Sequence, residues 1–319
     1  MGERLYARDA YGEALIELGK NNKDIVALDA DLASSTRTAK FGKAYPERFF
    51  DIGVAEQNLM GVAAGLAACG KIPFVSTFAI FGAGRAWDQV RNTICYNKLN
   101  VKIVVSHAGI TVGPDGASHQ AIEDIALMRA ITNMTIIVPC DAPETKQAIF
   151  AASQYKGPVY VRLGRPKVPT LKKNDDFKIG RARIMRAGKD ITLIACGIMV
   201  KQALDAAEIL SAEGIAARVI NMHTIRPLDR QTIIAAARET KRIVTCEEHL
   251  SSGGLGSAVA EVLSEDIPTP MARIAIHERF GQSGQPEELI KEYHLMPQDI
   301  VQASRKLLNQ AAGNQAAPA

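Results

Sequence analysis

Along the chain, short apolar runs alternate with longer stretches in which apolar residues recur three and four positions apart, the signatures of buried strands and half-buried helices. A helical pattern near 4–20 precedes a strand IVALD (25–29), and a short strand FFDIG (49–53) leads into a helix over 56–69. Strand PFVSTF (73–78), a helix over 82–94 and strand VKIVVS (101–106) follow. Helix 120–130, strand TIIVP (135–139), helix 143–153 and strand VYVRL (159–163) complete a first set. Residues 166–188 lose this period and gather Pro, Lys and Asp, which marks a crossing between domains. Alternation then resumes with strand 190–196, helix 199–213, strand 216–222, helix 229–238, strand 242–248, helix 255–264, strand 271–276 and a last helix near 297–310. Strands alternating with helices predict an α/β protein made of two doubly wound parallel-sheet domains. We place them at 1–166 and 189–310, each with its own core, joined by a linker over 167–188. The tail AAGNQAAPA (311–319) has nothing to bury and is expected to be disordered.

Composition narrows the class. A length of 319 residues suffices for two such domains, and 47% hydrophobic with 23% charged residues is ordinary for a globular protein. The formal net charge of +4 is spread without a Lys/Arg block, which argues against a nucleic-acid partner. Cys69, Cys95, Cys140, Cys196 and Cys246 stand singly with no CxxC, so reduced thiols and a cytoplasmic location are expected, and no metal site. The start, MGERLYARDA, is charged rather than apolar, and no apolar run approaches the roughly 20 residues of a membrane span.

Three segments hold candidate chemistry. In DIGVAEQNLMGVAAGLAAC (51–69), Glu56 sits where a strand end meets a helix rich in Gly and Ala, whose small residues permit close approach of another backbone. Glu56 serves either the helix N-terminal dipole or, in an apolar interface, a proton shared with a ligand nitrogen. Phe78 and Phe81 lie three apart at a strand-to-helix joint, placed for core packing or for stacking on a flat heteroaromatic ring. The Gly-rich loop HAGITVGPDGASHQ (107–120) gathers His107, Asp115 and His119 beyond a strand, where doubly wound sheets hold ligands. Histidines there can donate to hydroxyl or carbonyl oxygens and exchange protons. Arg8 and Arg165 stand at element ends as phosphate forks or solvated charges. SSGGLGS (251–257) lacks the full phosphate-cradle spacing and reads as a turn or contact loop.

Taken together, DADLASST, IGVAEQN, STFAIF, RAWDQVR, GPDGASHQ, NMTIIVPCD and YVRLGR, in this order, resemble the pyrimidine-binding and C-terminal domains of transketolase over nearly the whole chain. That resemblance implies thiamine diphosphate as cofactor, with Glu56 on the aminopyrimidine, Phe78 and Phe81 as its stacking pocket and Asp31 at the cofactor site. It implies that His107 and His119 act on the donor ketose, that Asp115 meets a sugar hydroxyl, and that Arg8, Ser35 and Arg165 hold the sugar phosphate. The family's Gly-Asp-Gly segment for Mg2+ and the diphosphate does not occur here, which implies an N-terminal partner subunit holding them, in an α2β2 assembly. The implied activity is ketol transfer between sugar phosphates, with no nucleic acid and no membrane as partner. A 1-deoxyxylulose-5-phosphate synthase-like chain, a 2-oxo-acid dehydrogenase beta-like chain and a non-catalytic regulatory subunit are the alternatives. His107 and the DGxSHQ loop weigh against the first two, and the joint presence of Glu56, His107, Asp115, His119 and Arg165 weighs against the third.

Overall fold

The computed structural model describes residues 2–171 and 177–315. In chain order the strands are β1 (Arg4–Tyr6), β2 (Ile25–Asp29), β3 (Phe49–Asp51), β4 (Ile72–Ser76), β5 (Lys102–Ala108), β6 (Thr135–Ile137) and β7 (Val159–Gly164). They continue as β8 (Lys167–Pro169), β9 (Arg183–Arg186), β10 (Ile191–Ala195), β11 (Ala217–Asn221), β12 (Thr224–Arg226), β13 (Ile243–Leu250) and β14 (Met271–Ile276). One sheet has the order β12-β6-β7-β5-β4-β2-β3, and the other β14-β13-β10-β11-β9. Within each, neighbours run parallel except at one edge, where β12 and β9 pair antiparallel with β6 and β11. The α/β class read from the sequence therefore holds, with mixed rather than purely parallel sheets.

Several departures from the sequence reading share one cause. Strands of three or four residues, such as β1, β8, β9 and β12, carry no readable period. As a result the stretch read as a linker contains β8, which forms a two-stranded ribbon with β1, and β9, which edges the second sheet. The centre of that stretch, residues 172–176, lies outside the described residues. More consequentially, β12 belongs by sequence to the second half but completes the first sheet, with Thr224 opposite Ile137. The helix Pro297–Gln315 runs on through residues 311–315, which the tail was expected to leave disordered; 316–319 lie outside the described residues. Apolar residues every third and fourth position up to Leu308 let the helix start on packing, and Ala- and Gln-rich sequence then continues it by propensity.

The core also departs from the expectation of one core per domain. A cluster around Leu15, Phe41, Phe74 and Ile149 fills the space between the first sheet and the helices Ala7–Asn21 and Ala142–Gln154. A second cluster around Leu193, Val219, Val244 and Ile300 packs one face of the second sheet. The third runs from Leu28, Val75 and Ile103 of the first sheet to Ile194, Ile220, Ile233 and Val259 of the second half. At roughly 1.5–3 kcal/mol for each fully buried aliphatic side chain, this shared face fixes the two sheets against each other.

The helix expected over 82–94 is instead wound as two π-helical stretches, Phe81–Arg85 and Gln89–Cys95. The wider turn, closed by the N–H of Ala86 on the carbonyl of Phe81 at 3.3 Å, leaves Phe81 and Arg85 on one face.

Candidate active site

Asp31 follows β2, Glu56 follows β3, Phe78 and Phe81 follow β4, His107 is the penultimate residue of β5 and Arg165 follows β7, so one carboxyl edge of the first sheet gathers them. Glu56 opens the helix Glu56–Ala68, where the unpaired N–H groups of the first turn favour a carboxylate. It is 2% exposed, and half-exposed Arg85 donates to its Oε2 at 2.8 Å while Oε1 accepts no hydrogen bond among the described residues. The Arg85 guanidinium also lies 4.7 Å from the centre of the Phe81 ring. Phe81 stacks on Phe78 with centroids 6.2 Å apart and planes 15° apart, and the His107 ring covers Phe78 at 3.9 Å. His119 presents an edge to Phe81 at 5.4 Å and to Phe78 at 6.4 Å. The aromatic pair and the histidine loop, read as separate motifs, are thus one cluster.

A second feature is an excess of positive charge. His107 adopts φ +60° and is buried, with Nδ1 within 2.9 Å of the Ser106 hydroxyl. Burial, then the charges of Arg8 and Arg165, with His119 and Arg37 behind them, push its imidazole down to about 3, so it is neutral at physiological pH. Arg8 is likewise shifted down, by burial first and Arg37 next. Arg8 donates to the Ser35 carbonyl at 3.1 Å, and Arg165 donates to the Val112 carbonyl at 2.5 Å. Arg37 uses Nε on Asp9 at 2.7 Å and NH1 on the Ser34 carbonyl at 2.6 Å. Arginines that repel one another across a sheet edge, with Asp9 as the nearby counter-charge, form a ready site for an anion.

The loop after β2 is shaped by a residue that the sequence reading passed over. Asp29 is buried and accepts from the hydroxyls of Thr36 and Thr38, both at 2.7 Å, and from the N–H of Leu32 at 2.7 Å. Burial pushes its carboxyl up to about 6 against those hydrogen bonds. It thereby fixes the turn that carries Asp31, Ser35 and Arg37. Asp31 itself is exposed at φ +60°, with its N–H on Asp51 Oδ1 at 2.9 Å and, among the described residues, no hydrogen bond to Glu56.

Of the residues expected at the site, Glu56, Phe78, Phe81, His107, His119, Arg8 and Arg165 are joined through ring contacts, an ion pair or direct electrostatic influence. Ser35 joins through its carbonyl, whereas Asp115 lies exposed on the histidine loop and, among the described residues, makes no hydrogen bond or ion pair to another candidate. Arg85 and Arg37 were missed as participants. Arg85 stood within the quoted RAWDQVR segment, but only the π-helical winding turns it onto Glu56. Arg37 had no signal beyond its charge. Among the described residues no three His, Cys, Asp or Glu side chains gather to hold a metal ion.

These features define a protein of two α/β units whose candidate site lies at one carboxyl edge of the first sheet. Residues 3–170 match the family model of the transketolase pyrimidine binding domain, and residues 180–300 that of the transketolase C-terminal domain. The chain belongs to the transketolase family, as the sequence motifs implied. It is 51% identical over 297 residues to a Methanocaldococcus jannaschii chain provisionally described as a transketolase C-terminal section, covering 92% of this chain and 93% of that one. A Clostridium 6-deoxy-6-sulfo-D-fructose transketolase subunit is 42% identical, covering 96% and 95% of the two chains. A solved structure described as a split gene transketolase, inactive beta4 tetramer, superposes with a TM-score of 0.90 at 54% identity, covering 96% of this chain and 99% of that one. Human transketolase is 38% identical, and this chain spans 50% of its length.

Proposed function

We propose that the chain is the C-terminal subunit of a split transketolase, transferring a two-carbon ketol unit from a ketose phosphate to an aldose phosphate with thiamine diphosphate. The observation that carries this reading is the convergence, at one sheet edge, of a buried glutamate, stacked rings, two histidines and an excess of arginine charge. An N-terminal partner subunit would hold Mg2+ and the diphosphate, and two copies of each chain would complete an α2β2 enzyme.

The residues present fit the aminopyrimidine of the cofactor. Glu56 keeps Oε1 free to meet a ring nitrogen, and Phe81 offers an aromatic face beside it. Bound thiamine diphosphate supplies the electron sink for cleaving and forming the carbon–carbon bond. Glu56 would hold the shared proton at the ring nitrogen, and Arg85 would keep the carboxylate oriented. Neutral His107, fixed by Ser106 and Phe78, would donate to the donor sugar's oxygens, and His119 would move a proton at the reacting hydroxyl. Asp115 would meet a sugar hydroxyl, while Arg8, Ser35 and Arg165 would hold the phosphate. Asp31 is assigned to the cofactor side.

The test is Glu56→Gln in the assembled enzyme. Turnover should fall by about 10²–10⁴-fold, the range of general acid–base contributions, with assembly intact. Turnover within a few-fold of the parent would remove Glu56 from the cofactor role. Arg165→Ala should raise KM for phosphorylated sugars by about 10-fold or more with kcat little changed, because the charge-assisted contact exists in ground and transition state alike. An unchanged KM would detach Arg165 from the phosphate.

A further inference from the structure

The histidine loop is held by the second domain as well as by its own. Its two ends meet where the N–H of Gly109 donates to the carbonyl of Ala121 at 2.8 Å. Beneath that closure lies Glu248 of β13, a buried carboxylate whose Oε1 accepts the N–H of Thr111 at 2.6 Å. Gly109 has φ +81°, and a Cβ there would stand 2.2 Å from the Glu248 carboxyl carbon, so the loop passes over this side chain only because position 109 is glycine. The Glu248 carbonyl is tied in turn to Arg162 at 3.1 Å, and Arg162 also holds the Ala121 carbonyl at 3.1 Å and both oxygens of Asp124.

Farther along the loop comes a second hold. Gln120 is buried, and its Nε2 donates to the carbonyls of Ile110 at 3.0 Å, Gly113 at 3.4 Å and, in the second domain, Gln282 at 2.9 Å. Around it the two backbones approach closely, with Gly116 against the Ser283 hydroxyl and Gly281 against Gln120 itself.

Resting on the transketolase reading of the site, we propose that Glu248 and Gln120 are positioning residues: through them the second domain sets the geometry of the loop between His107 and His119, and with it the fit of the sugar. Among the described residues neither side chain makes a hydrogen bond or ion pair to His107, Phe78, Phe81 or His119, so they act through the backbone they grip. Burial pushes the Glu248 carboxyl up to about 7 against the pull of Arg162, which makes it a costly group to keep for packing alone. An apolar side chain would fill the volume but could not accept the Thr111 N–H.

The experiment uses Glu248→Ala, Glu248→Gln and Gln120→Met in the full chain, read by hydrogen exchange and, after assembly with the N-terminal chain, by kinetics. For Glu248→Ala, exchange over 107–120 should speed by about tenfold while the rest of the first domain is unchanged, as loss of one buried hydrogen bond implies. KM for the ketose phosphate should rise by about tenfold, with thiamine diphosphate affinity within twofold of the parent. Glu248→Gln keeps the acceptor and should return both readouts to near parental values, whereas Gln120→Met should move them as Glu248→Ala does. If Glu248→Ala does not fold, Gln120→Met carries the test. Faster exchange spread over the whole chain, an unchanged KM, or cofactor affinity falling in parallel would each overturn the positioning role. Exchange needs no turnover, so an enzyme without ketol transfer but with the localised effect would refute the transketolase activity and leave the loop-positioning inference standing.

Discussion

His107 is a site residue whose environment departs far from that of a free histidine. The sequence reading set it just past strand 101–106, whereas the structure keeps it within that strand (Lys102–Ala108), and the stacked Phe78 and the facing arginines come from elements up to 99 positions away in the chain. Its stability effect has a definite sign. In the folded protein the imidazole takes a proton only near pH 3, while in the unfolded chain it does so near 6.5. The unfolded state therefore binds more protons between those values, so stability is full above about pH 6.5 and falls as the pH drops toward 3. We expect denaturant unfolding of the parent to lose about 3 kcal/mol more between pH 7 and pH 4 than that of His107→Gln. Equal losses would mean that His107 is solvated. Asp29 acts in the opposite sense, because its carboxyl, raised to about 6, favours folding on the acid side of that value. The pairing of Glu56 with Arg85 was legible only in part: the glutamate's place was set by its motif, while the arginine's reach depended on winding that no residue period encodes.

At the scale of elements, length decided what could be read. Most helices and strands of five residues or more appear near their expected places, from Ile25–Asp29 to Met271–Ile276, but the helices Ala39–Ala44 and Pro286–Glu292 had no counterpart in the sequence reading. Of the shortest strands, Phe49–Asp51 and Thr135–Ile137 fell within expected runs, whereas Arg4–Tyr6, Lys167–Pro169, Arg183–Arg186 and Thr224–Arg226 were invisible, and so was the π-helical winding of 81–95. The helix Glu56–Ala68 shows the reverse case, in which sequence and structure agree on an unfilled surface. Gly61 and Gly65 have nothing within 4 Å of where a Cβ would stand, so packing inside this chain does not require glycine there. In a helix each glycine costs roughly 1 kcal/mol relative to alanine, a cost that makes sense if another backbone must come close. Gly65→Leu should accordingly leave the melting temperature of the separate chain equal or higher while shifting sedimentation toward smaller species. Unchanged association would place the contact between copies elsewhere.

At the scale of the whole molecule, two α/β units in the right order were legible, and their family with them, because long motifs survive as text. Their union was not. The core that passes from Leu28 and Ile103 to Ile220 and Val259, the strand Thr224–Arg226 lent to the first sheet, and Glu248 beneath the histidine loop all link residues remote in sequence. The second half is therefore built into the site's frame. The central claim is that this chain completes a thiamine-diphosphate site only with an N-terminal partner. Its most direct test is to mix the two chains with thiamine diphosphate and Mg2+ and measure ketol transfer from xylulose 5-phosphate to ribose 5-phosphate. Transfer in the mixture and in neither chain separately is the predicted result. No transfer in the mixture, or release of carbon dioxide from pyruvate in its place, would contradict it.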